Sequence, residues 1–232
     1  MFKSPRNNSA MWMGLPIQKG LDQLDVEYLS RVFELLLGCV VEHARWTVIR
    51  LDLHSPGGIA IQNDGITRFI ESLKAQLKHS QRMKASVGKR GYSPMLRYVW
   101  VREWGCANQP HYHVALLLNR DAYFSLGDYG RLSDPASDYD EMLSGRICKA
   151  WGVALDIPWR QAQSGVHFPK RPVAALQSHH QRFGEQFVNV FYRLSYFAKQ
   201  ESKRYGDRQR NFGMSSCAAF KPHRTEVSHE AN

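Results

Sequence analysis

LRYVWVREW (96–104) and HYHVALLLN (111–119) are the two stretches that decide the fold of this chain. Both are rich in β-branched and aromatic residues, a composition typical of β-strands. The segment that separates them, 105–110, contains Gly, Asn and Pro and has the length of a hairpin loop. Since Val114–Leu118 is apolar at every position, the second stretch predicts a central strand that is covered on both faces.

Segments with apolar residues at helical spacing surround this hairpin. The spacing predicts helices over about 25–44, 64–87, 140–153 and 181–204. Alternating apolar residues predict a strand at Trp46–Leu53, and Gly165–Phe168 is a candidate for a short strand. Strands with helices packed on them predict an α+β fold, with a central, mainly antiparallel β-sheet and flanking helices.

A chain of 232 residues is long enough for one domain with a substantial core. We expect that domain to span residues 21–215 and to contain an acidic, turn-rich insertion at about 120–160. Residues 1–20 mix Pro, Asn, Ser and Gly and predict a flexible N-terminal arm. The polar end of the sequence, 216–232, predicts a disordered tail.

The composition excludes several classes of protein. The longest apolar run, Leu35–Val41, is far shorter than the ~20 residues that a membrane-spanning helix requires, which excludes a transmembrane protein. A net positive charge suits nucleic acid or an anionic membrane, and of these we expect nucleic acid and no membrane partner. The first ten residues lack the apolar core of a secretory signal. The four cysteines form no Cys-x-x-Cys pair, which argues against a disulfide scaffold and a four-cysteine zinc site. Together these features indicate a cytoplasmic protein.

The charge of the chain points to a polyanionic partner. Lys and Arg number 31 against 21 Asp and Glu, which gives a formal net charge of +10 and a pI near 9.6. The segment 72–102 holds eight basic residues and no acidic one. A basic run can also be a solvated helix face, but this degree of polarisation favours contact with nucleic-acid phosphates. The residues that we expect to bind nucleic acid here are Lys74, Lys78, Arg82, Lys89 and Arg90.

His111 and His113 are the first candidates for chemistry. Side chains alternate along a strand, so both imidazoles project from one face and can bind one ion. If the loop covers 105–109, Glu103 lies directly opposite His111 on the same face, whereas a register shifted by one residue would turn its carboxylate away. Two imidazoles and a carboxylate suit Mg²⁺ or Mn²⁺, with open positions for phosphate oxygens. The alternatives are two core histidines and a strand-end carboxylate paired with Arg102.

A second constellation lies on the last predicted helix. Tyr192, Tyr196, Lys199 and Lys203 follow one another at helical spacing and form one stripe. Aromatic residues at this spacing usually belong to a core, but two lysines on the same stripe make a purely apolar role unfavourable. Because a lysine beside a tyrosine favours the phenolate and offsets charge on phosphate, the stripe predicts a tyrosine nucleophile.

These motifs resemble the HUH endonucleases, the superfamily of the rolling-circle replication initiators. His111-Tyr112-His113 resembles their His-hydrophobic-His motif, Tyr196-Phe197-Ala198-Lys199 resembles their Tyr-x-x-Lys motif, and Tyr192 stands where two-tyrosine phage initiators have their second tyrosine. Residues 50–56 stand where these proteins have a first, largely structural strand motif, but Arg50 and Asp52 are charged where initiators usually carry Thr and hydrophobic residues. Over about 45–215 the chain also resembles, in more detail, the inovirus gene-II-type replication proteins, including the prophage proteins of the YagK/YfjJ C-terminal domain family.

The resemblance implies an HUH-nuclease fold with an RRM-like palm and the activity of a metal-dependent single-stranded DNA nickase and strand transferase. It implies Mg²⁺ or Mn²⁺ held by Glu103, His111 and His113. It also implies attack by Tyr196 with help from Lys199, while Tyr192 is the second nucleophile. Apart from the resemblance, the basic side chain of Lys203 is a further residue that we expect to contact DNA. The implied partners are single-stranded DNA or an origin hairpin, with a host helicase and polymerase.

Three other functions stay open at this point. A non-catalytic DNA-binding or regulatory prophage protein on the same scaffold would form no covalent adduct with DNA. A relaxase or transposase of the same superfamily would share the motifs. A nucleotide phosphoesterase could use the His-x-His pair but would have no use for the tyrosine–lysine stripe.

Overall fold

The computed structural model of this chain describes residues 9–105, 109–131 and 142–217. The described helices are α1 (Val26–Glu42), α2 (Gly65–Ser86), α3 (Leu143–Leu155), α4 (Trp159–Ala162) and α5 (Phe183–Ser195). None of them combines the length and the apolar character needed to span a bilayer. The described strands are β1 (Met11–Trp12), β2 (Leu15–Pro16), β3 (Arg45–Leu53), β4 (Leu96–Trp104), β5 (Pro110–Asn119), β6 (Val166–His167), β7 (Val173–Gln177) and β8 (Phe212–Met214).

Six strands form the central sheet, in the order β6-β3-β5-β4-β8, with β7 also paired to β3. Each of the described pairings in it is antiparallel. β5 lies between β3 and β4, and its side chains from Val114 to Leu118 are all buried, as the continuous apolar run predicts. The expected α+β fold with a mainly antiparallel sheet is therefore confirmed.

The hairpin of β4 and β5 has the register on which the candidate metal ligands depend. Glu103 pairs with His111, and Trp104 pairs with Pro110. Residues paired across antiparallel strands project from the same face of the sheet, so Glu103 and His111 share a face. The loop therefore covers 105–109, of which 106–108 lie outside the described residues.

Helices cover both faces of the sheet. α1 and α5 pack on one face, which we call the α1/α5 face, where Leu35 and Phe191 belong to one core cluster. α2 and α3 cover the opposite face, the α2/α3 face, where Phe69 and Trp151 belong to a second core cluster. The sheet is thus the middle of three layers, and each face has its own core.

The alternation of side chains decides which layer contains the candidate ligands. Val101 on β4 and Leu117 on β5 belong to the core of the α1/α5 face. Glu103 lies two residues beyond Val101, while His111 and His113 have the same parity as Leu117. All three candidate ligands therefore project from the α1/α5 face, beside α5.

Residues 9–20 do not form the loose arm that their composition suggested. β1 and β2 pair as a small hairpin, and Trp12 and Ile17 are only 8% and 1% exposed. Trp12 stacks on Phe191 of α5, with ring centroids 5.6 Å apart. These two buried apolar side chains help to hold this Gly- and Pro-containing segment on the core of the α1/α5 face. Residues 1–8 lie outside the described part of the chain.

Part of the segment expected as an acidic insertion belongs to the core. α3 lies within it, and Leu143, Ile147 and Trp151 of this helix pack on the α2/α3 face. The acidic composition comes mainly from residues that precede α3, and 132–141 among them lie outside the described residues.

The last long helix ends earlier than its apolar spacing predicts. α5 stops at Ser195, and a single 3-10 turn, Tyr196–Ala198, follows it. The backbone N–H of Asp25 donates to the carbonyl of Ala198 at 2.7 Å, and Leu24 forms a β-bridge with Lys199. Backbone pairing with this earlier segment replaces further helical hydrogen bonds, so the predicted stripe does not lie on one continuous helix.

Two further strands that the sequence does not predict are β7 and β8, which are short and only partly buried. β8 leads to Cys217, which is buried with its Sγ 3.9 Å from that of Cys39 on α1. The first two residues of the expected tail are therefore described, and Cys217 packs on the core. Residues 218–232 lie outside the described chain.

We predict that Ile17→Ala lowers the free energy of unfolding by about 2–4 kcal/mol, because it removes a fully buried side chain from the core beneath β1 and β2. Met11→Ala in the same hairpin is the matched control. Met11 is 54% exposed, and its truncation should cost less than about 0.5 kcal/mol. Urea denaturation followed by circular dichroism measures both. Equal stability of Ile17→Ala and the wild type would show that Ile17 contributes nothing to the core.

Candidate metal centre

Three side chains meet at the end of the β4–β5 hairpin on the α1/α5 face. Glu103, His111 and His113 each offer one ligand atom, and these atoms lie within 4.8 Å of one another. Glu103 is 1% exposed, whereas both histidines are partly exposed. The cluster predicted from strand parity and loop length is therefore present, and the imidazoles keep one side of it open to solvent.

Asp52 on β3 fixes the orientation of His113. Its Oδ1 lies 2.6 Å from Nδ1 of His113, and both side chains are 12% exposed. The two residues are also paired in the β3–β5 register, so the sheet itself brings them together. With Nδ1 engaged by a carboxylate, Nε2 is the nitrogen that can bind an ion, and it lies 3.4 Å from Oε2 of Glu103.

The two histidines differ in their protonation. Burial, together with the positive charges of His113 and His54, lowers the pKa of His111 to about 4. His54 stacks on His111 with ring centroids 5.2 Å apart. Burial also acts to lower the pKa of His113, but hydrogen bonds with Asp52 and Glu103 outweigh it and raise that pKa above its ordinary value. His111 is therefore neutral and ready to bind a cation at neutral pH, whereas His113 holds its proton more tightly than an ordinary histidine, which opposes metal binding.

The carboxylate of Glu103 is surrounded by donors from the segment that follows α5. Nζ of Lys199 lies 2.9 Å from Oε2, and the hydroxyl of Ser202 donates to the same oxygen at 2.8 Å. Nζ of Lys203 lies 3.9 Å from Oε1. Burial acts to raise the pKa of Glu103, but hydrogen bonds from His113, Lys199 and Ser202 lower it to about 2. The side chain is therefore negatively charged at every ordinary pH.

The two lysines reach this carboxylate in different electrostatic states. Burial acts to lower the pKa of Lys199, but its hydrogen bonds with Glu103 and Tyr196 raise it above the ordinary value. For Lys203 burial prevails over the attraction of Glu103 and lowers the pKa to about 8. Lys199 is thus a permanent cation beside Glu103, whereas Lys203, with a pKa of about 8, loses its proton more readily.

Lys199 links Tyr196 to the three-residue cluster. Its Nζ donates to the hydroxyl of Tyr196 at 3.2 Å while remaining paired with Glu103. The ring of Tyr196 lies 6.3 Å from that of His113, and the side chain is partly exposed. The predicted nucleophile, its lysine and the candidate ligands therefore lie in one accessible place.

Tyr192 lies apart from this cluster in its described contacts. The side chain is 8% exposed, and its carbonyl accepts hydrogen bonds from Nε2 of Gln18 at 3.0 Å and from the hydroxyl of Ser195 at 2.7 Å. No described contact joins Tyr192 to Glu103 or to either histidine.

The residues predicted to bind nucleic acid are divided between two places. Lys203 lies next to Glu103. α2 packs on the opposite face of the sheet, so its basic residues lie across the sheet from the cluster, and two further basic residues follow this helix. Those five residues are Lys74, Lys78, Arg82, Lys89 and Arg90.

Sequence reasoning missed three residues at this site: Asp52, His54 and Ser202. The first two belong to RLDLH (50–54), in which polar side chains occupy every second position of an otherwise apolar strand. That alternation places them on one face and could have indicated a functional strand. Ser202 had no comparable signal, because it reaches Glu103 only after the chain turns back at the bridge between Leu24 and Lys199.

The donor set fits a divalent cation. Oε1 of Glu103 is buried and accepts no hydrogen bond from the described residues, so a bound ion would supply a partner for this oxygen. Nε2 of His113 is adjacent to the same carboxylate, and His111 completes a set of one oxygen and two nitrogen ligands. Such a set leaves coordination positions for water or phosphate oxygens.

The fold and this cluster define an α+β protein with a candidate metal centre on one face of an antiparallel sheet. The chain belongs to the YagK/YfjJ C-terminal domain family, whose model matches residues 8–215. It is 33% identical over 200 residues to the Escherichia coli (strain K12) protein named Uncharacterized protein YagK, covering 82% of this chain and 92% of that relative. It is 31% identical over 200 residues to Uncharacterized protein YfjJ of the same strain, covering 81% and 93%. No solved structure matches the chain.

We predict that Asp52→Asn weakens Mn²⁺ binding by about 10- to 100-fold, because an amide no longer holds Nδ1 of His113 as a charged acceptor does. Isothermal titration calorimetry with MnCl₂ measures the change. Asp64→Asn is the matched control: Asp64 caps α2, makes no side-chain cap hydrogen bond and should leave Mn²⁺ affinity unchanged. Equal Mn²⁺ affinity of Asp52→Asn and the wild type would mean that Asp52 does not orient the ligand.

Proposed function

We propose that this protein is a metal-dependent single-stranded DNA nickase of the HUH endonuclease superfamily. It cuts one strand at a phage or prophage origin and leaves a 3′-hydroxyl that primes rolling-circle replication. The observation that carries the proposal is the lysine between the nucleophile and a ligand: Nζ of Lys199 lies 3.2 Å from the hydroxyl of Tyr196 and 2.9 Å from Oε2 of Glu103.

The cluster of Glu103, His111 and His113 supports the binding of a phosphate beside that tyrosine. A divalent cation held by these residues would polarise the scissile phosphate and offset its negative charge. We propose Mg²⁺ or Mn²⁺, because a carboxylate oxygen and open positions for phosphate oxygens suit these ions.

Tyr196 and Lys199 supply the nucleophile and its electrostatic support. The phenolic oxygen of Tyr196 attacks phosphorus, and the bond between phosphorus and the 3′ oxygen breaks. The product is a 5′-phosphotyrosyl bond, and the proton that the phenol loses is balanced by the proton that the 3′-hydroxyl gains. Because Lys199 donates to the phenolic oxygen, its charge stabilises negative charge on that oxygen and on the phosphate. Tyr192, one helical turn earlier, is the proposed second nucleophile for strand transfer.

The charge of the protein supports a DNA substrate. The formal net charge is +10, and Lys203 lies beside the cluster. The five basic residues on and after α2 would contact DNA that passes around the opposite side of the sheet. The proposed partners are a single-stranded origin or its hairpin and, in the cytoplasm of a bacterial host, a helicase and a polymerase.

A non-catalytic DNA-binding regulator on the same scaffold is the second candidate function. The ion pair between Lys199 and Glu103 favours it in one respect, because a cation that already neutralises this carboxylate competes with metal binding. The two functions differ in one measurable property: only the nickase forms a covalent adduct with DNA.

We predict that the wild-type protein with Mn²⁺ forms such an adduct with single-stranded DNA and that Tyr196→Phe does not. The phosphotyrosyl product keeps the 3′ part of the strand, so the oligonucleotides carry a 3′ label. Labelled protein that survives a denaturing gel is the readout, with a pool of phage-origin strands as substrate. Tyr192→Phe should still form the first adduct, because Tyr192 has no described contact with Lys199.

Two variants control this experiment. Tyr205→Phe removes the hydroxyl of a tyrosine that is 67% exposed, and its adduct should match that of the wild type. His113→Ala should lose the adduct while keeping most DNA affinity, since basic side chains dominate DNA binding. DNA binding by the wild type without any adduct would favour the regulator, and an adduct in Tyr196→Phe would assign the nucleophile to another residue.

A further inference from the structure

β3 carries another charged side chain on the α1/α5 face, two residues before Asp52. Cζ of Arg50 lies 5.7 Å from the ring centroid of Tyr196 and 5.7 Å from that of Phe197. Arg50 and Tyr196 are both partly exposed. The guanidinium group therefore lies beside the ring of the proposed nucleophile, whereas Lys199 contacts its hydroxyl.

Arg50 lacks a full set of acceptors within the described part of the chain. Its Nε is buried and has no hydrogen-bond partner there. Asp52 lies on the same strand face, but its Oδ1 is engaged by Nδ1 of His113. A buried N–H of a guanidinium group is costly to leave without an acceptor, so this arginine has capacity for a further anion.

Arg193 lies on α5, three residues before Tyr196, a helical spacing at which side chains are neighbours. Burial, together with the positive charge of Arg50, lowers the pKa of Arg193. Arg50 and Arg193 thus both lie beside Tyr196, and two positive charges on one side of this ring favour a bound anion. Arginine pairs are suited to phosphate, because each planar group can donate two parallel hydrogen bonds.

We propose that Arg50 and Arg193 form an anion subsite that binds the DNA phosphate next to the one that Tyr196 attacks. The identity of this ligand rests on the proposed function, whereas phosphate binding itself requires no nicking. Since Lys199 and not Arg50 contacts the hydroxyl of Tyr196, the arginines hold a neighbouring phosphate and act as positioning residues. They would hold the strand across the ring of Tyr196, so that the scissile phosphate reaches the cluster.

The test measures binding of a labelled dT20 oligonucleotide by fluorescence anisotropy in EDTA, where no cleavage occurs. Arg50→Gln and Arg193→Gln should each weaken binding roughly tenfold, as expected for a lost charge-assisted contact. Each should also make the log–log salt slope less negative by about 0.7, the single-strand factor for one phosphate. Arg50→Lys should keep the slope but lose part of the affinity, because lysine keeps the charge without the fork.

Arg182→Gln is the matched control. Arg182 lies at the other end of α5, is exposed and pairs with Glu185 at 2.7 Å. The Arg182→Gln substitution removes the same charge as Arg50→Gln and should change the affinity for dT20 less than twofold. If Arg50→Gln behaves like Arg182→Gln, the subsite does not exist. Arg50→Gln should leave the affinity for Mn²⁺ and the thermal midpoint without phosphate unchanged. If it weakens Mn²⁺ binding tenfold or clearly lowers that midpoint, Arg50 is structural and the proposal is overturned.

A second measurement separates failure of the subsite from failure of the proposed function. Inorganic phosphate should raise the thermal midpoint of the wild type more than that of Arg50→Gln. If the wild type binds no dT20 but shows this difference, the anion subsite stands and the nickase proposal fails. If phosphate stabilises both proteins equally, the subsite fails, whatever the outcome of the adduct assay.

Discussion

The site depends on the pairing of one buried carboxylate with its donors. Glu103 is negatively charged although it is only 1% exposed. A buried charge is tolerated only with partners, and here they come from the segment after α5, through Lys199 and Ser202. These contacts hold the chain beyond Tyr196 against β4. The same carboxylate therefore anchors the proposed nucleophile and offers a ligand oxygen, so the position of Tyr196 and the integrity of the cluster depend on one side chain.

The strands of the sheet and their pairing were predictable where loop length and apolar pattern determine them. Five residues between Trp104 and Pro110 fix which face Glu103 occupies, and the apolar run of β5 identifies it as a central strand. β7 and β8 could not be predicted, because short edge strands acquire their structure from the neighbour with which they pair. The hairpin of β1 and β2 could not be predicted for a similar reason. Its composition is that of a loop, and tertiary contacts, among them those of Trp12 and Ile17, hold it on the core.

The candidate site was predictable to a different degree in each of its parts. Tyr196 and Lys199 are three residues apart, a spacing that brings side chains together in a 3-10 turn as well as in an α-helix, so their contact did not require the predicted long helix. Lys203 lies near Glu103 for a different reason. The chain changes direction at the bridge between Leu24 and Lys199, and helical spacing does not predict such a change. In the sequence Asp52 is only a charged exception in a strand motif, but its pairing with His113 makes it part of the site.

The hairpin of β1 and β2 has a consequence for where the functional unit begins. Nε2 of Gln18, just after β2, donates to the carbonyls of Tyr192 and Arg193, and its backbone N–H donates to the hydroxyl of Ser195. Tyr192 and Arg193 belong to the last turn of α5, where backbone carbonyls lack partners within the helix, and Gln18 supplies those partners. A shortened chain that starts at β3 would retain each candidate ligand, Tyr196 and Lys199. It would lose the segment that holds the end of α5, from which the turn with Tyr196 follows. The smallest fragment that keeps the geometry of this site is therefore longer than the stretch that contains its motifs, because it includes β1, β2 and Gln18.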